Sequence, residues 1–273
     1  NVTIVKNSKI LKAGFIGGYA SGVNQVNIRN CTVQAGVQIG DPETGFWVDL
    51  GDTSYGYGFI SEGFDHRDNI GSFAGAFNGT ITNSVSYATV YGRKNVGGLV
   101  GMKGQSMGSC DILNSSFQGK IIATGDKVGG IVGAGYISGS APGTPTVEIH
   151  NCYVAADIQG NDKIGGLVGS EEGHEKFNDT GDSYGIKGAN SISDNLFYGA
   201  IKAGENAKNI GGILGYVHDF SKKNGEATNF YLDSCGASSG IGGSVEGSMT
   251  GVDKYAAAAS ESEFKDGTVL TKL

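Results

Sequence analysis

A five-residue glycine motif returns along most of the chain. GGLVG at 97–101 is repeated as GGIVG at 129–133, GGLVG at 165–169 and GGILG at 211–215, with weaker copies GSFAG at 71–75 and GFIGG at 14–18. Each of the first five in chain order is followed by a second segment: NIRNCTVQAGV from Asn27, TITNSVSYATV from Thr80, DILNSSFQGKI from Asp111, EIHNCYVAADI from Glu148 and SISDNLFYGAI from Ser191. Tandem units of this size cannot bury an apolar face alone and fold by stacking on their neighbours. The composition agrees. The 49 glycines and 3 prolines in 273 residues, spread among apolar residues without a collagen period, imply many tight turns in an all-β chain.

Aligned on one another, the second segments have a period of two. One parity holds Cys31, Ser84, Ser115, Cys152 and Asn195, then Val33, Ser86, Phe117, Val154 and Phe197. It continues with Ala35, Ala88, Gly119, Ala156 and Gly199, and ends on Val37, Val90, Ile121, Ile158 and Ile201. The other parity (Gln34, Tyr87, Gln118, Ala155, Tyr198) is polar or mixed. This is a strand with a small, apolar inward face, and its slots keep their size from unit to unit. Cysteine and serine share one slot, which favours buried thiols. Four cysteines without a Cys-x-x-Cys pair leave two disulfides as the alternative.

Spacing separates scaffold from ornament. From Ile81, Ile112, Ile149 and Ile192 to the next glycine motif the chain takes 16, 17, 16 and 19 residues. From Gly75, Gly101, Gly133 and Gly169 to the next of those isoleucines it takes 6, 11, 16 and 23. Constant halves pack as strands, and elastic halves are loops leaving one corner. The unit describes a parallel β-helix, with strands of successive coils about 4.8 Å apart. Asn30, Asn83, Asn114 and Asn151, with Asp194 in the fifth copy, fall at one turn position, where a stacked ladder of side chains is expected to satisfy turn amides.

The unit GG[LI][VL]G followed by Ile-x-Asn-[Cys/Ser], in tandem over roughly residues 12–215, resembles the GLUG repeat of bacterial surface proteins. The resemblance implies a right-handed parallel β-helix, here of about six to seven coils, in an adhesin-like protein or beside the catalytic region of an IgA-peptidase-type protein. The tail ASESEFKDGTVLTKL at 259–273 is similar to the segment that closes such arrays. Ser260 and Glu263 are spaced as a capping box for one short helix, and Asp266-Gly267 is expected to turn the chain into a last strand over the open end. The expected organisation is a repeat domain over 1–253, interrupted by an insertion at about 40–68, with a cap over 254–273. The chain opens as NVTIVKNSKI, like the middle of a strand-rich region, which suggests a piece of a longer protein with other domains.

Charge and motifs exclude several activities. A net charge of −7 and no general basic footprint argue against nucleic acid. No apolar run of about 18 residues predicts membrane insertion. GGLVG lacks the spacing of either a dinucleotide fingerprint or a phosphate loop, and its recurrence suits a structural turn. His174-Glu175-Lys176-Phe177-Asn178 falls one histidine short of His-Glu-x-x-His and lies in poor helix context, so no metal centre or other cofactor is expected.

Two stretches exceed what a scaffold requires. The insertion carries Trp47, Tyr55, Tyr57, Phe59, Glu62, His66 and Arg67 with the acids Asp49, Asp52 and Asp65. Aromatic rings beside carboxylates suit sugar binding, and paired acids suit glycoside hydrolysis; alternatively Trp47 plugs the helix. The elastic loops at 102–111, 134–148, 170–191 and 216–229 leave equivalent corners and should form one surface. The longest holds His174, Glu175 and Tyr184 among Glu171, Glu172, Asp179 and Asp182, a solvated acidic loop rather than a recognisable calcium pattern. The expected ligand contacts are Trp47, Tyr55, Tyr57, Glu62, His66, Arg67, His174, Glu175 and Tyr184. The leading expectation is a non-catalytic extracellular module that binds glycan or a cell-surface protein through corner loops. The alternatives are a lacto-N-biosidase-like glycoside hydrolase acting through Asp49, Asp52 and Asp65, and an accessory domain of an IgA-peptidase-like protein.

Overall fold

The computed structural model describes residues 14, 17–20, 26–40, 68–103, 109–135, 147–171, 191–219, 228–246 and 248–273. Their strands form five parallel sheets, numbered here I to V in the order in which one coil visits them. The third coil runs Val96–Gly97, Val100–Lys103, Cys110–Leu113, Ser116–Phe117 and Lys120–Ala123, one strand per sheet. Sheets II and IV each hold seven strands in strict coil order, so the chain is a parallel β-helix of seven coils. Registers are unshifted from coil to coil: Ile28, Ile81, Ile112, Ile149 and Ile192 pair successively in sheet III.

The inward residues stack into one continuous core that includes Ile81, Ile112 and Ile149 from sheet III and Val90, Ile121 and Ile158 from sheet V. Sheets III and V alternate between buried and open positions, as a half-buried strand should. Sheets I and II do not: Val96–Gly97 and Val100–Lys103 are buried at every position. The glycine motif explains why. It spans the bend from sheet I to sheet II, and its last glycine lies against the sheet I strand of the coil before. A Cβ on Gly101 would sit 2.5 Å from Asn69 C and Ile70 N, and one on Gly169 would meet Lys127 C and Val128 N. Only glycine permits this backbone-on-backbone contact.

Spacing grows from coil to coil at the corner between sheets II and III, and one further insertion, after Gly40, falls between sheets V and I. In coil 2 only Asn78 separates Phe77 from Gly79, whereas later coils insert 104–109, 135–146 and 172–190 at the same place. The strands run further than spacing implied, so the loops are shorter than expected: sheet II reaches Lys103, Glu171 and Asp219.

The turn ladder differs from expectation. Asn30, Asn83, Asn114, Asn151 and Asp194 all take left-handed backbone, with φ of 49 to 61°. The four asparagines are exposed, so this slot is chosen for its backbone, which Asn and Asp tolerate better than other side-chain-bearing residues. The residue after each does the bonding. Ser84 Oγ accepts from Cys31 N–H (3.1 Å), Ser115 Oγ from Ser84 N–H (3.2 Å), and Asn195 Oδ1 from Cys152 N–H (2.9 Å). Asn195 Nδ2 donates to Asn229 Oδ1 (2.9 Å), and Asn229 Nδ2 donates to the carbonyls of Ile192 and Tyr255. All four cysteines are free thiols, and two of them, Cys31 and Cys152, occupy this slot.

At the C-terminus, α1 (Val252–Tyr255) leads into Ala256–Ala259, the last strand of sheet IV. The capping box forms as expected: Ser260 caps α2 (Glu261–Lys265) and Glu263 reaches back to the Ser260 N–H. The expected strand after Asp266-Gly267 is instead a 3₁₀ turn over Thr268–Lys272, begun by Gly267 at φ 80°. Phe264 and Val269 pack with Tyr153, Leu196 and Phe230 on the face of sheet IV opposite the core. The tail therefore flanks the stack where a lid over its end was expected. No described helix is long and apolar enough to cross a membrane.

Candidate functional site

The fold fixes where each stretch outside the scaffold is attached. The loops 104–109, 135–146 and 172–190 leave the II–III corner of successive coils and 220–228 leaves the end of sheet II in the sixth coil, where the next strand belongs to sheet IV, so the bases stand in one row at about 4.8 Å per coil. The row rests on a buried base. Lys103 and Glu171 end their sheet II strands with little exposure, and Cys110 starts the facing strand of sheet III. Burial lowers the pKa of Lys103, only partly offset by Cys110.

The insertion after Gly40 leaves a different corner, between sheets V and I, and returns at Asp68. Its two ends are pinned. Gly40 takes φ 79°, and a Cβ there would collide with the Tyr91 carbonyl. Asp68 receives a two-pronged contact from Arg93, Nε to Oδ1 at 2.9 Å and Nη2 to Oδ2 at 2.6 Å. Asn95 Nδ2 donates to Asn69 Oδ1 at 2.8 Å beside it. Further along this corner Asp162 accepts from the backbone N–H groups of Lys208 and Asn209 and from Asn209 Nδ2. Burial raises its pKa, but these donors outweigh burial and hold it below the ordinary carboxylate value. Lys163 stands over the Tyr216 ring at 4.3 Å.

The expected contacts therefore fall into two groups on two corners. Trp47, Tyr55, Tyr57, Glu62, His66 and Arg67, with Asp49, Asp52 and Asp65, belong to the V–I insertion. His174, Glu175 and Tyr184 belong to the II–III loop of the fifth coil. All twelve lie outside the described residues. Sheets I and II separate the two corners along the coil, and three further coils separate the insertion from the loop of coil 5.

One polar chain was not anticipated. His150 Nδ1 lies 2.9 Å from Ser193 Oγ, which donates to Asp194 Oδ2 at 2.8 Å, and Thr228 Oγ1 donates to Asp194 Oδ1. The signal was present: His150 and Ser193 fill the same slot in EIHN and SISD, so stacking brings them together. In a hydrolytic triad the carboxylate orients the imidazole. Here it holds the serine, which ties coils 4, 5 and 6 together at the foot of the loop row.

Among the described residues ionisation gives no sign of an activated carboxyl: the displaced ones, Asp162, Glu261, Glu263 and Asp266, all move downward, opposite to what a general acid at neutral pH needs. Among the described residues no group of three or more His, Cys, Asp or Glu could hold a metal ion. Burial pushes Cys110 and Cys152 from 9.0 up to about 12. Folded, they stay protonated while unfolded thiols ionise, so their contribution to stability is full below about pH 9 and is lost as pH rises towards 12. In native protein at pH 8 a thiol reagent should modify the partly exposed Cys31 first and leave Cys110 and Cys152 unmodified until denaturant is added. Rapid native modification of all four would contradict this burial. Compared with family models, curated proteins and solved structures, the chain matches none.

Proposed function

We propose that this chain is a non-catalytic, extracellular β-helix module of a bacterial surface protein that binds glycan or a cell-surface protein. The observation that carries this reading is the row of loops that grows at one corner. Coils 3 to 6 add loops after their sheet II strands, while the path through sheets III, IV and V keeps its length in coils 2 to 5. A regular stack tolerates insertions where they do not disturb pairing, and a row of loops on a rigid frame is an arrangement suited to recognition. The fold by itself decides no activity.

A glycoside hydrolase is the competing reading, favoured by the three acids and the aromatic residues of the pinned insertion. The triple variant Asp49→Asn, Asp52→Asn, Asp65→Asn separates the two. On a glycan array the variant should bind within about twofold of the native chain, and neither protein should release reducing ends from an oligosaccharide library. Cleavage by the native chain that the variant lacks would make the module an enzyme.

A further inference from the structure

We infer that the outer face of sheets IV and V in the first coils is a platform for a neutral oligosaccharide, which lies along coil 2 across Tyr87 and Tyr91. This rests on the glycan reading above but moves the contact from the loops to a sheet face. Ala88 and Val90 are fully buried, so Tyr87, Thr89 and Tyr91 point outward from the same stretch of chain. Tyr87 is 38% exposed, the one aromatic side chain among the described residues that stands so open. The rings are separated by four residues, about 13 Å in extended chain, a span that a short run of pyranose rings covers.

Primary amides flank the rings on neighbouring coils. The backbone N–H of Tyr87 bonds to Val33 O, and that of Gln118 bonds to Ser86 O, which places exposed Gln34 and Gln118 on either side of Tyr87 at about 4.8 Å. Gln38 pairs with Thr89 and is anchored through its Nε2 to Gly40 O at 3.3 Å. Gln118 Nε2 donates to Ser116 Oγ at 3.1 Å. The Gln38 and Gln118 amides are thus exposed yet held, and each keeps capacity for a sugar hydroxyl.

Three observations favour a neutral sugar over other occupants. The charges at the rings are matched: Lys120, the register partner of Thr89 between them, has Asp157 beside it on the next coil, and Arg93 beyond Tyr91 is engaged by Asp68. Among the described residues this face has only Val85 and Ile122 as branched aliphatic side chains in coils 1 to 3, both half-buried, whereas the centre of a protein interface is built from apolar residues. Ring faces stack on the C–H faces of sugars while amides bond their hydroxyls. The platform also ends at Gly40, packed on Tyr91, where the insertion bearing Trp47 begins.

The test is calorimetric titration with cello-, chito-, laminari- and xylo-oligosaccharides, alongside ring-proton shifts of labelled tyrosines. Tyr87→Ala and Tyr91→Ala should each weaken binding about tenfold, and the two phenylalanine variants should bind like the native chain. Unchanged thermal midpoints would show that the variants fold. If the native chain binds one of these sugars and both alanine variants bind it equally well, the platform is wrong while the glycan reading stands. If the native chain binds none of these sugars, and the alanine variants instead lose a protein ligand or lose nothing, the platform is wrong and the glycan reading falls with it.

Discussion

Replacing Gly166 with alanine should destabilise the fold by about 3 kcal/mol and lower the thermal midpoint by roughly 5–10 °C. The added methyl would run into the carbonyl oxygen of Gly212 one coil on and stand 2.5 Å from the ring of Phe197 across the core. Gly98 and Gly212 face Phe117 and Tyr231 in the same way, so the second glycine of the motif makes room for a ring from sheet IV. Coil 2 shows the converse. It has Ser72 at this slot, and Ser86 stands where the other coils have a larger residue. Phe197→Ala should not rescue the variant, because the ring is only one of the two obstacles and its loss leaves a cavity. Urea unfolding followed by circular dichroism measures both the single and the double variant. A shift of under about 1 kcal/mol for Gly166→Ala would mean that the coils are not packed this closely.

Asn195→Ala should cost a similar amount, about 3 kcal/mol or more, for a different reason. Asn195 is fully buried, accepts from Cys152 N–H and donates to the Ile149 carbonyl and to Asn229 Oδ1. Alanine would strand all three partners away from water, and each buried polar group left unpaired costs about 1–3 kcal/mol. Asn151→Ala, one coil earlier and exposed, should act instead through its left-handed backbone and cost about 1 kcal/mol. Equal losses at the two positions would contradict the assignment of the ladder to the buried slot.

Period and spacing were enough to read the frame from the sequence. The alternation at Ser84, Ser86, Ala88 and Val90 identified the inward face, because stacking forces equivalent residues into equal volumes; in the first coil it fails, since Ala35 is exposed in a turn and Ile39 takes the place expected for Val37 beside Val90. The jump from 6 to 23 residues located the elastic corner, because a loop that leaves between two strands changes length without disturbing their pairing. Residue type was less informative about roles within a turn. Asparagine is favoured both for left-handed backbone and for side-chain bonding, and at Asn30, Asn83, Asn114 and Asn151 the first use prevails. Two-sided burial of sheets I and II was hidden because two-residue strands such as Val96–Gly97 are too short to display a period. The tail misled in a similar way: Thr268-Val269-Leu270-Thr271 has strand composition, yet Gly267 at positive φ directs it back onto sheet IV. Candidate contacts such as Trp47 and His174 were chosen for their chemistry alone, since repeat spacing says nothing about the inside of a loop.

The central claim is that a constant coil carries its growing loops at the corner between sheets II and III. Replacing 172–189 with a single asparagine, the length that joins Phe77 to Gly79 in coil 2, tests it most directly. Thermal unfolding of that variant should remain cooperative, with a midpoint within a few degrees of the native chain, since a long loop adds little to the closure entropy. Loss of cooperative unfolding, with Cys152 becoming reactive in the absence of denaturant, would show that the loop is part of the frame and would contradict the account.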